Sequence, residues 1–127
     1  MLLDFLSQYL GNIEAVVRKL ENIYVERYEE EIVADNRVNL RVRVRFGSGH
    51  LLELNEAVVG EAGHITHMGY RYHFQDAQNN LVFRYDNTPH FPELETFPHH
   101  KHLPAEVAVV EQPSILKAIE EAMLLAQ

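Results

Sequence analysis

Residues 37–46 constrain the fold more than any other part of the chain, because apolar and polar side chains alternate there without exception. The apolar positions are Val38, Leu40, Val42, Val44 and Phe46, and the polar positions are Arg37, Asn39, Arg41, Arg43 and Arg45. A period of two places the two sets on opposite faces of a β-strand. The chain therefore needs further strands beside this one and a layer that covers its apolar face.

Four further segments have the composition and periodicity of strands, and turn residues separate them. They are residues 23–33, 50–58, 65–75 and 81–86. The turn signals are Asp35-Asn36, Gly47-Ser48-Gly49 and the polar run 76–80. Strands joined by short turns predict an antiparallel meander of about five strands.

Both ends of the chain have the pattern of amphipathic helices. Apolar residues recur at helical spacing between positions 2 and 20, and Gly11-Asn12 leaves open two short helices or one kinked helix. A second helix is predicted to begin after Ser114. We interpret both helices as the layer that covers the sheet. The prediction is a single α+β domain over residues 1–127: N-terminal helix, antiparallel meander, long Pro/His-rich loop and C-terminal helix.

The last two predicted strands form a hairpin whose register follows from side-chain types. With a four-residue loop at 77–80, the facing pairs are Phe74 with Phe83, Tyr72 with Tyr85, His73 with Arg84, and Arg71 with Asp86. Aromatic residues then face aromatic residues, and Arg71 faces an acid. Such cross-strand pairs each stabilise a sheet by about 0.2–1 kcal/mol, and a slip of one residue would exchange the two faces.

The composition excludes several kinds of protein. The chain has no cysteine, which excludes disulfides, thiolate nucleophiles and thiolate metal sites. Its formal net charge of −8 argues against a general nucleic-acid coat but not against a local basic patch. No apolar run reaches the roughly 20 residues of a membrane span, and Asp4 stands where a signal peptide carries a base. We therefore expect a cytoplasmic protein.

Between Asp86 and about Val107 no regular element is predicted. Prolines 89, 92, 98 and 104 stiffen this segment, which also carries four histidines and a lysine: His90, His99, His100, Lys101 and His102. A long segment without secondary structure in a small domain is usually functional or disordered. Its apolar residues favour an ordered loop that lies on the sheet.

The hairpin and this loop together supply the candidate catalytic residues. They are Arg71, His73, Arg84, His90, His99, His100 and Lys101. Arginine binds phosphate through two hydrogen bonds and histidine transfers protons near neutral pH, so this combination suits cleavage of a phosphodiester. The alternatives are that the arginines of 37–45 pair with glutamates of the preceding strand, and that the histidines only make hydrogen bonds within the loop.

Metal binding is a further alternative, because imidazole ligates zinc, nickel and copper. Residues 99–102 lack the i, i+4 spacing of a helical metal site, however, and no carboxylate pattern completes a known one. The sequence therefore predicts no metal site and no cofactor.

The same residues carry a resemblance to a known family. The motifs are Tyr70-Arg71-Tyr72-His73-Phe74-Gln75, Phe83-Arg84-Tyr85-Asp86-Asn87, Pro89-His90, Pro92-Glu93 and Phe97-Pro98-His99-His100-Lys101-His102. They resemble the TumE-like proteins of toxin–antitoxin systems. The resemblance implies a bacterial cytoplasmic toxin and a cognate helix-turn-helix antitoxin as its partner.

Three functions are compatible with the residues and the resemblance. The first is a metal-independent ribonuclease, by analogy with other toxins that place helices before a small antiparallel sheet. The second is a non-enzymatic module that binds a basic partner, and the third is a metal-dependent hydrolase.

Overall fold

The computed structural model describes residues 1–88 and 98–127. Within these ranges, helix α1 comprises Asp4–Arg18 and helix α2 comprises Ile115–Leu125. The strands are β1 (Ile23–Ala34), β2 (Arg37–Phe46), β3 (Leu51–Glu61), β4 (His64–Gln75), β5 (Leu81–Asp86), β6 (His100–Leu103) and β7 (Glu106–Val109). Two helices beside an antiparallel sheet confirm the predicted α+β class.

All the strands form one sheet, in the order in which they follow one another along the chain. Each strand pairs antiparallel with the next, so the sheet is a meander without crossovers. The meander was predicted, but its size was not, because the sheet has seven strands instead of about five.

Of the two additional strands, β6 lies in the segment that was predicted to have no regular element before about Val107, and β7 begins at the end of that segment. Strand β6 pairs with β5, and β7 folds back onto β6 after Pro104 and Ala105. Each of these strands has four residues, which is too short for a period of two to be distinguished from chance. The prediction is therefore wrong for residues 100–103, while residues 89–97 lie outside the described residues.

The register between β4 and β5 is the predicted one. Phe74 faces Phe83, Tyr72 faces Tyr85, His73 faces Arg84, and Arg71 faces Asp86. The rings of Phe74 and Phe83 are 5.3 Å apart between centroids, within the range of favourable aromatic pairs. This register assigns each side chain of the hairpin to one of the two faces of the sheet.

The two helices pack against one face of the sheet and enclose the core with it. Helix α1 contributes Leu6, Leu10, Ile13 and Val17, and α2 contributes Ile115, Ala118, Ile119 and Ala122. From the strands come Val38, Leu40, Val42, Val44, Leu52, Leu54, Val58, Tyr72, Phe74 and Phe83, among others. The sequence interpretation of both helices as a covering layer is confirmed.

Helix boundaries follow local chemistry. Helix α1 runs through Gly11 and Asn12 as one element, and a side chain at Gly11 would meet nothing within 4 Å, so this glycine points away from the core. At the start of α2 the hydroxyl of Ser114 accepts a hydrogen bond from the backbone N–H of Lys117, as expected of an N-cap.

Neither α1 nor α2, the helices of the described chain, has the length and hydropathy that a membrane crossing requires.

Candidate functional site

The sheet face opposite the two helices, called the open face below, carries two adjacent rows of polar side chains. From β2 to β6 the first row is Arg41, Asn55, Arg71, Asp86 and His100, and the second is Arg43, Glu53, His73, Arg84 and His102. Residues that face each other on antiparallel strands lie on the same side of the sheet. The register thus brings Arg71, His73, Arg84 and His100 to one face.

At the β1 side of the open face, the arginines are neutralised by glutamates. The carboxylate of Glu26 in β1 accepts hydrogen bonds from Nε of Arg43 at 2.7 Å and Nε of Arg45 at 3.1 Å. These bonds lower the pKa of Glu26. The alternative in which the arginine ladder pairs with glutamates of the preceding strand is confirmed for these two residues.

Arg41 and Arg71 differ from the other arginines of the two rows. Both side chains are exposed, and within residues 1–88 and 98–127 neither has an ion-pair partner. They lie on either side of Asn55, beside a shallow depression that Asn39 and Thr88 also line. Two unneutralised guanidinium groups beside amide and hydroxyl groups can bind an anion such as phosphate.

His73 lies at the centre of the second row and is half-buried. Its Nε2 is 2.9 Å from the side-chain oxygen of Gln75, so Nε2 donates and Nδ1 keeps the lone pair. Burial lowers the pKa of His73, and the positive charges of Arg71 and Arg84 lower it further. A neutral imidazole with a bare Nδ1 is suited to accept a proton near neutral pH.

Asp86 is buried at the end of the first row and collects several partners. Its carboxylate oxygens lie 2.6 Å from Nε2 of His100, 3.4 Å from Nε2 of His102 and 3.4 Å from Nε of Arg84. The backbone N–H of Thr88 donates to the same carboxylate at 3.1 Å. The sequence analysis paired Asp86 with Arg71 but did not include it among the candidate catalytic residues. The alternation of His100 and His102 puts both imidazoles on the face that Asp86 occupies, but a four-residue strand is too short for this alternation to be recognised in the sequence.

Lys101 lies on the opposite, helix-covered side. Its Nζ is 2.7 Å from Glu121 of α2, whose carboxylate also accepts a 2.6 Å hydrogen bond from the hydroxyl of Tyr85. The same ammonium lies 4.8 Å from the centroid of the Tyr85 ring. In this structure Lys101 connects β6 to α2 and does not reach the open face.

Replacing Lys101 with methionine is expected to lower the free energy of unfolding by about 1–2 kcal/mol, because Glu121 loses its cation in a partly buried setting. Chemical denaturation of the purified variant measures this change. The matched control is Lys117→Met, which removes an exposed lysine of the same α2 region and should change stability by about 0.5 kcal/mol or less. Equal stability of the two variants would contradict a structural role for Lys101.

His99 and His90 are the remaining predicted site residues. Nδ1 of His99 is 2.9 Å from the hydroxyl of Tyr70, and its ring stacks on that tyrosine, whose side chain lies on the helix-covered face. Burial lowers the pKa of His99. His90 lies outside the described residues. The described candidates therefore divide into four residues on the open face and two, His99 and Lys101, on the other side.

A second polar group, which the sequence analysis did not identify, lies within the core. The carboxylate of Glu56 is buried and accepts hydrogen bonds from the hydroxyls of Tyr9 and Tyr72, the latter at 2.6 Å. Nε2 of His67 is 3.1 Å from this carboxylate, and Gln112 donates to Nδ1 of the same ring at 3.0 Å. Burial and the Glu56 charge raise the pKa of both tyrosines, so they remain neutral donors.

The signal for this group was present in the alternation of β3. Leu52, Leu54 and Val58 point into the core, and Glu56 occupies the same parity. A carboxylate at a core position requires donors around it. The sequence analysis considered the aromatic residues of β4 only as cross-strand partners of β5, and their hydroxyls were not considered as hydrogen-bond donors to Glu56.

Comparison with known proteins identifies one family. The family model described as toxin TumE matches residues 13–124, from within α1 to near the end of α2. The match confirms the resemblance stated from the motifs. No curated protein and no solved structure matches the chain.

Proposed function

Because this chain belongs to the TumE toxin family, we propose that its toxic action is cleavage of RNA at the open face. The observation that carries the proposal is the position of His73, a neutral imidazole that faces Arg84 across the strands and lies two residues from Arg71. This arrangement combines a proton acceptor with groups that stabilise negative charge, and phosphodiester cleavage needs both.

We assign substrate binding to the two arginines that have no ion-pair partner among the described residues. Arg41 and Arg71 bind the phosphate backbone, since their guanidinium groups are exposed and not neutralised by a described carboxylate. Asn55 between them supplies a further donor. A net charge of −8 does not prevent this, because the glutamates of β1 neutralise other arginines than these two.

The reaction proceeds by attack of the ribose on its own phosphate. Nδ1 of His73 takes the proton of the 2′-hydroxyl, the 2′-oxygen bonds to phosphorus, and the bond from phosphorus to the 5′-oxygen breaks. The leaving 5′-oxygen takes a proton from water, and the resulting hydroxide takes the proton from His73. The products are a 2′,3′-cyclic phosphate and a 5′-hydroxyl, and Arg71 and Arg84 stabilise the charge on phosphorus during the step.

Water is the proposed acid because the protein candidates are placed elsewhere or are engaged. Nε2 of His100 lies against Asp86, and His99 and Lys101 lie on the helix-covered side. His90, outside the described residues, remains the candidate from the sequence for a protein acid. In the structure Nδ1 of His73 is enclosed, so this step requires the side chains beside it to move when the phosphate binds.

The test uses two RNA oligonucleotides of the same sequence, one of them with 2′-deoxyribose at the cleaved position. We expect the purified chain to cut the first into fragments that end in a 2′,3′-cyclic phosphate and to leave the second intact. Cleavage of both would overturn the role of the 2′-hydroxyl. A tight complex with a basic protein partner, without turnover of RNA, would favour the non-enzymatic binding function instead.

The acidic limb of the pH profile for cleavage is expected below pH 6.5, the ordinary value for imidazole. His73 acts unprotonated, and burial together with Arg71 and Arg84 lowers its pKa, whereas Gln75 and Glu53 oppose that shift. Glu53→Gln should therefore move the limb to lower pH, and Arg84→Gln should move it towards 6.5. Measuring kcat/KM against pH for both variants tests the direction of each shift. An acidic limb above pH 6.5 in the parent protein would contradict the assignment of His73 as the base.

Family membership also implies an antitoxin partner. We propose that this partner is a helix-turn-helix protein that neutralises the toxin by binding it, as in a type II system. A DNA-binding antitoxin needs a basic surface, and a toxin with a net charge of −8 complements it. Co-expression of this chain with the antitoxin should yield a complex of fixed stoichiometry. If the RNA transcript of the antitoxin gene neutralised the toxin without being translated, the proposal would be contradicted.

A further inference from the structure

We propose that Asp86, His100 and His102 form a binding site for a divalent transition-metal ion, with Zn²⁺ as the reference ion. One ligand atom from each of these residues lies within 4.8 Å of the others. Two imidazoles and one carboxylate are a set that zinc and related ions bind with nitrogen and oxygen distances of about 2.0–2.2 Å. The proposal does not depend on RNA cleavage.

The backbone brings the three side chains together before any ion binds. Asp86 ends β5 and faces His100 of β6, while His102 lies two residues further along β6 on the same face. The two imidazole centroids are 4.7 Å apart, with the rings nearly perpendicular. Neighbouring ligand atoms of a tetrahedral zinc ion are about 3.3 Å apart. Oδ2 of Asp86 is 3.4 Å from Nε2 of His102, close to that value, whereas Oδ1 of Asp86 is 2.6 Å from Nε2 of His100. Binding of an ion therefore requires the carboxylate of Asp86 and the imidazole of His100 to move apart.

The surroundings orient the ligands as they do in known metal sites. Nδ1 of His100 donates to the carbonyl of Pro98 at 3.0 Å, which directs Nε2 to Asp86. The N–H of Thr88 holds one carboxylate oxygen. The His100 side chain is 1% exposed and that of His102 is 19% exposed, so the site is enclosed on one side and accessible on the other.

A divalent ion would engage the carboxylate of Asp86 and both imidazoles together. Arg84 lies 3.4 Å from the same carboxylate, and Nε2 of His102 also lies 3.4 Å from it. With a divalent ion, both imidazoles are neutral ligands, and three protein ligands leave one position for water or an anionic oxygen.

The test measures binding in the absence of RNA, on tag-free protein stripped of metal. We expect titration with Zn²⁺ to show one ion per chain, and Co²⁺ to give the visible absorption of a tetrahedral site. Saturating Zn²⁺ should raise the melting temperature by roughly 5–10 °C, because the ion binds the folded chain and joins β5 to β6.

Three variants make the result specific. His102→Ala, at the partly exposed ligand, and His100→Gln should each weaken Zn²⁺ binding at least about 10-fold and remove the thermal shift. His64→Ala removes an exposed histidine outside the cluster and should leave both unchanged. Circular dichroism establishes that each variant is folded. Absence of saturable binding in the parent, or equal binding by the parent and by a folded His102→Ala variant, would overturn the proposal. Since cleavage by His73 requires no ion, failure of one proposal leaves the other standing.

Discussion

Replacing His73 with glutamine is expected to reduce the rate of RNA cleavage at least about 100-fold, which is the usual contribution of a general base. Glutamine is close to histidine in size and keeps a polar group opposite Arg84, but it cannot take the 2′-hydroxyl proton at neutral pH. The loss should therefore appear in kcat, while the affinity for RNA, set by Arg41 and Arg71, stays near that of the parent. Single-turnover cleavage and equilibrium binding of the same oligonucleotide separate the two effects.

The control for this variant is His64→Gln, which makes the same substitution in the same strand. His64 is exposed at the opposite end of β4 and should tolerate the change without loss of activity or stability. If His73→Gln retains more than about a tenth of the parent rate while folded, His73 is not the base. In that case cleavage would have to be assigned to other residues of the open face.

Replacing Glu56 with alanine is expected to lower the free energy of unfolding by about 3–5 kcal/mol. The carboxylate is the acceptor for two tyrosine hydroxyls and for His67, and all of these groups are buried or half-buried. Without it, those donors remain in the core without an acceptor, and a cavity is added. Because a small domain has only about 5–15 kcal/mol of stability, the variant should be close to unfolded at physiological temperature.

The matched control is Glu53→Ala, which removes a glutamate from the same strand but from the other face. Glu53 is 30% exposed in its side chain and pairs with Arg43 at 3.4 Å, so its loss should cost about 0–1 kcal/mol. Urea denaturation of both variants gives the comparison. A difference of less than about 1 kcal/mol between them would contradict a structural role for the buried group. Tyr72→Phe, which removes one donor and keeps the ring, should fall between the two.

The fold was predictable where one face of a strand is buried. The alternation in β2 and the facing pairs of β4 and β5 specify which side chains point inward, and a shift of register would bury charge. Strands β6 and β7 were not predictable in the same way. Strand β6 pairs with β5 across residues 87–99, and β7 pairs with β6 across Pro104 and Ala105, but each of these strands has only four residues, too few for a period of two to be recognised.

The positions of the candidate site residues were predictable only where the strands that carry them were predictable. His73 faces Arg84 as predicted, because both lie on the hairpin whose register the sequence specifies. His99, Lys101 and His100 are consecutive in the segment 99–101 but divide between two faces, because that segment enters a strand whose side chains alternate. Because the sequence analysis treated this segment as a loop, it did not predict that side chains alternate there. It therefore did not predict the contact between Asp86 and His100.

The free edge of strand β1 has a consequence for the protein in solution. This strand forms one border of the sheet, and its exposed apolar side chains, Ile32 and Val33 among them, stand beside Glu29, Glu30 and Glu31. Among residues 1–88 and 98–127 no strand pairs with the outer side of β1. A border of this length would template the addition of another chain, and the row of carboxylates opposes this by mutual repulsion between molecules. Colloidal stability should then depend on these carboxylates, and replacing them with glutamine should promote self-association of the molecules border to border.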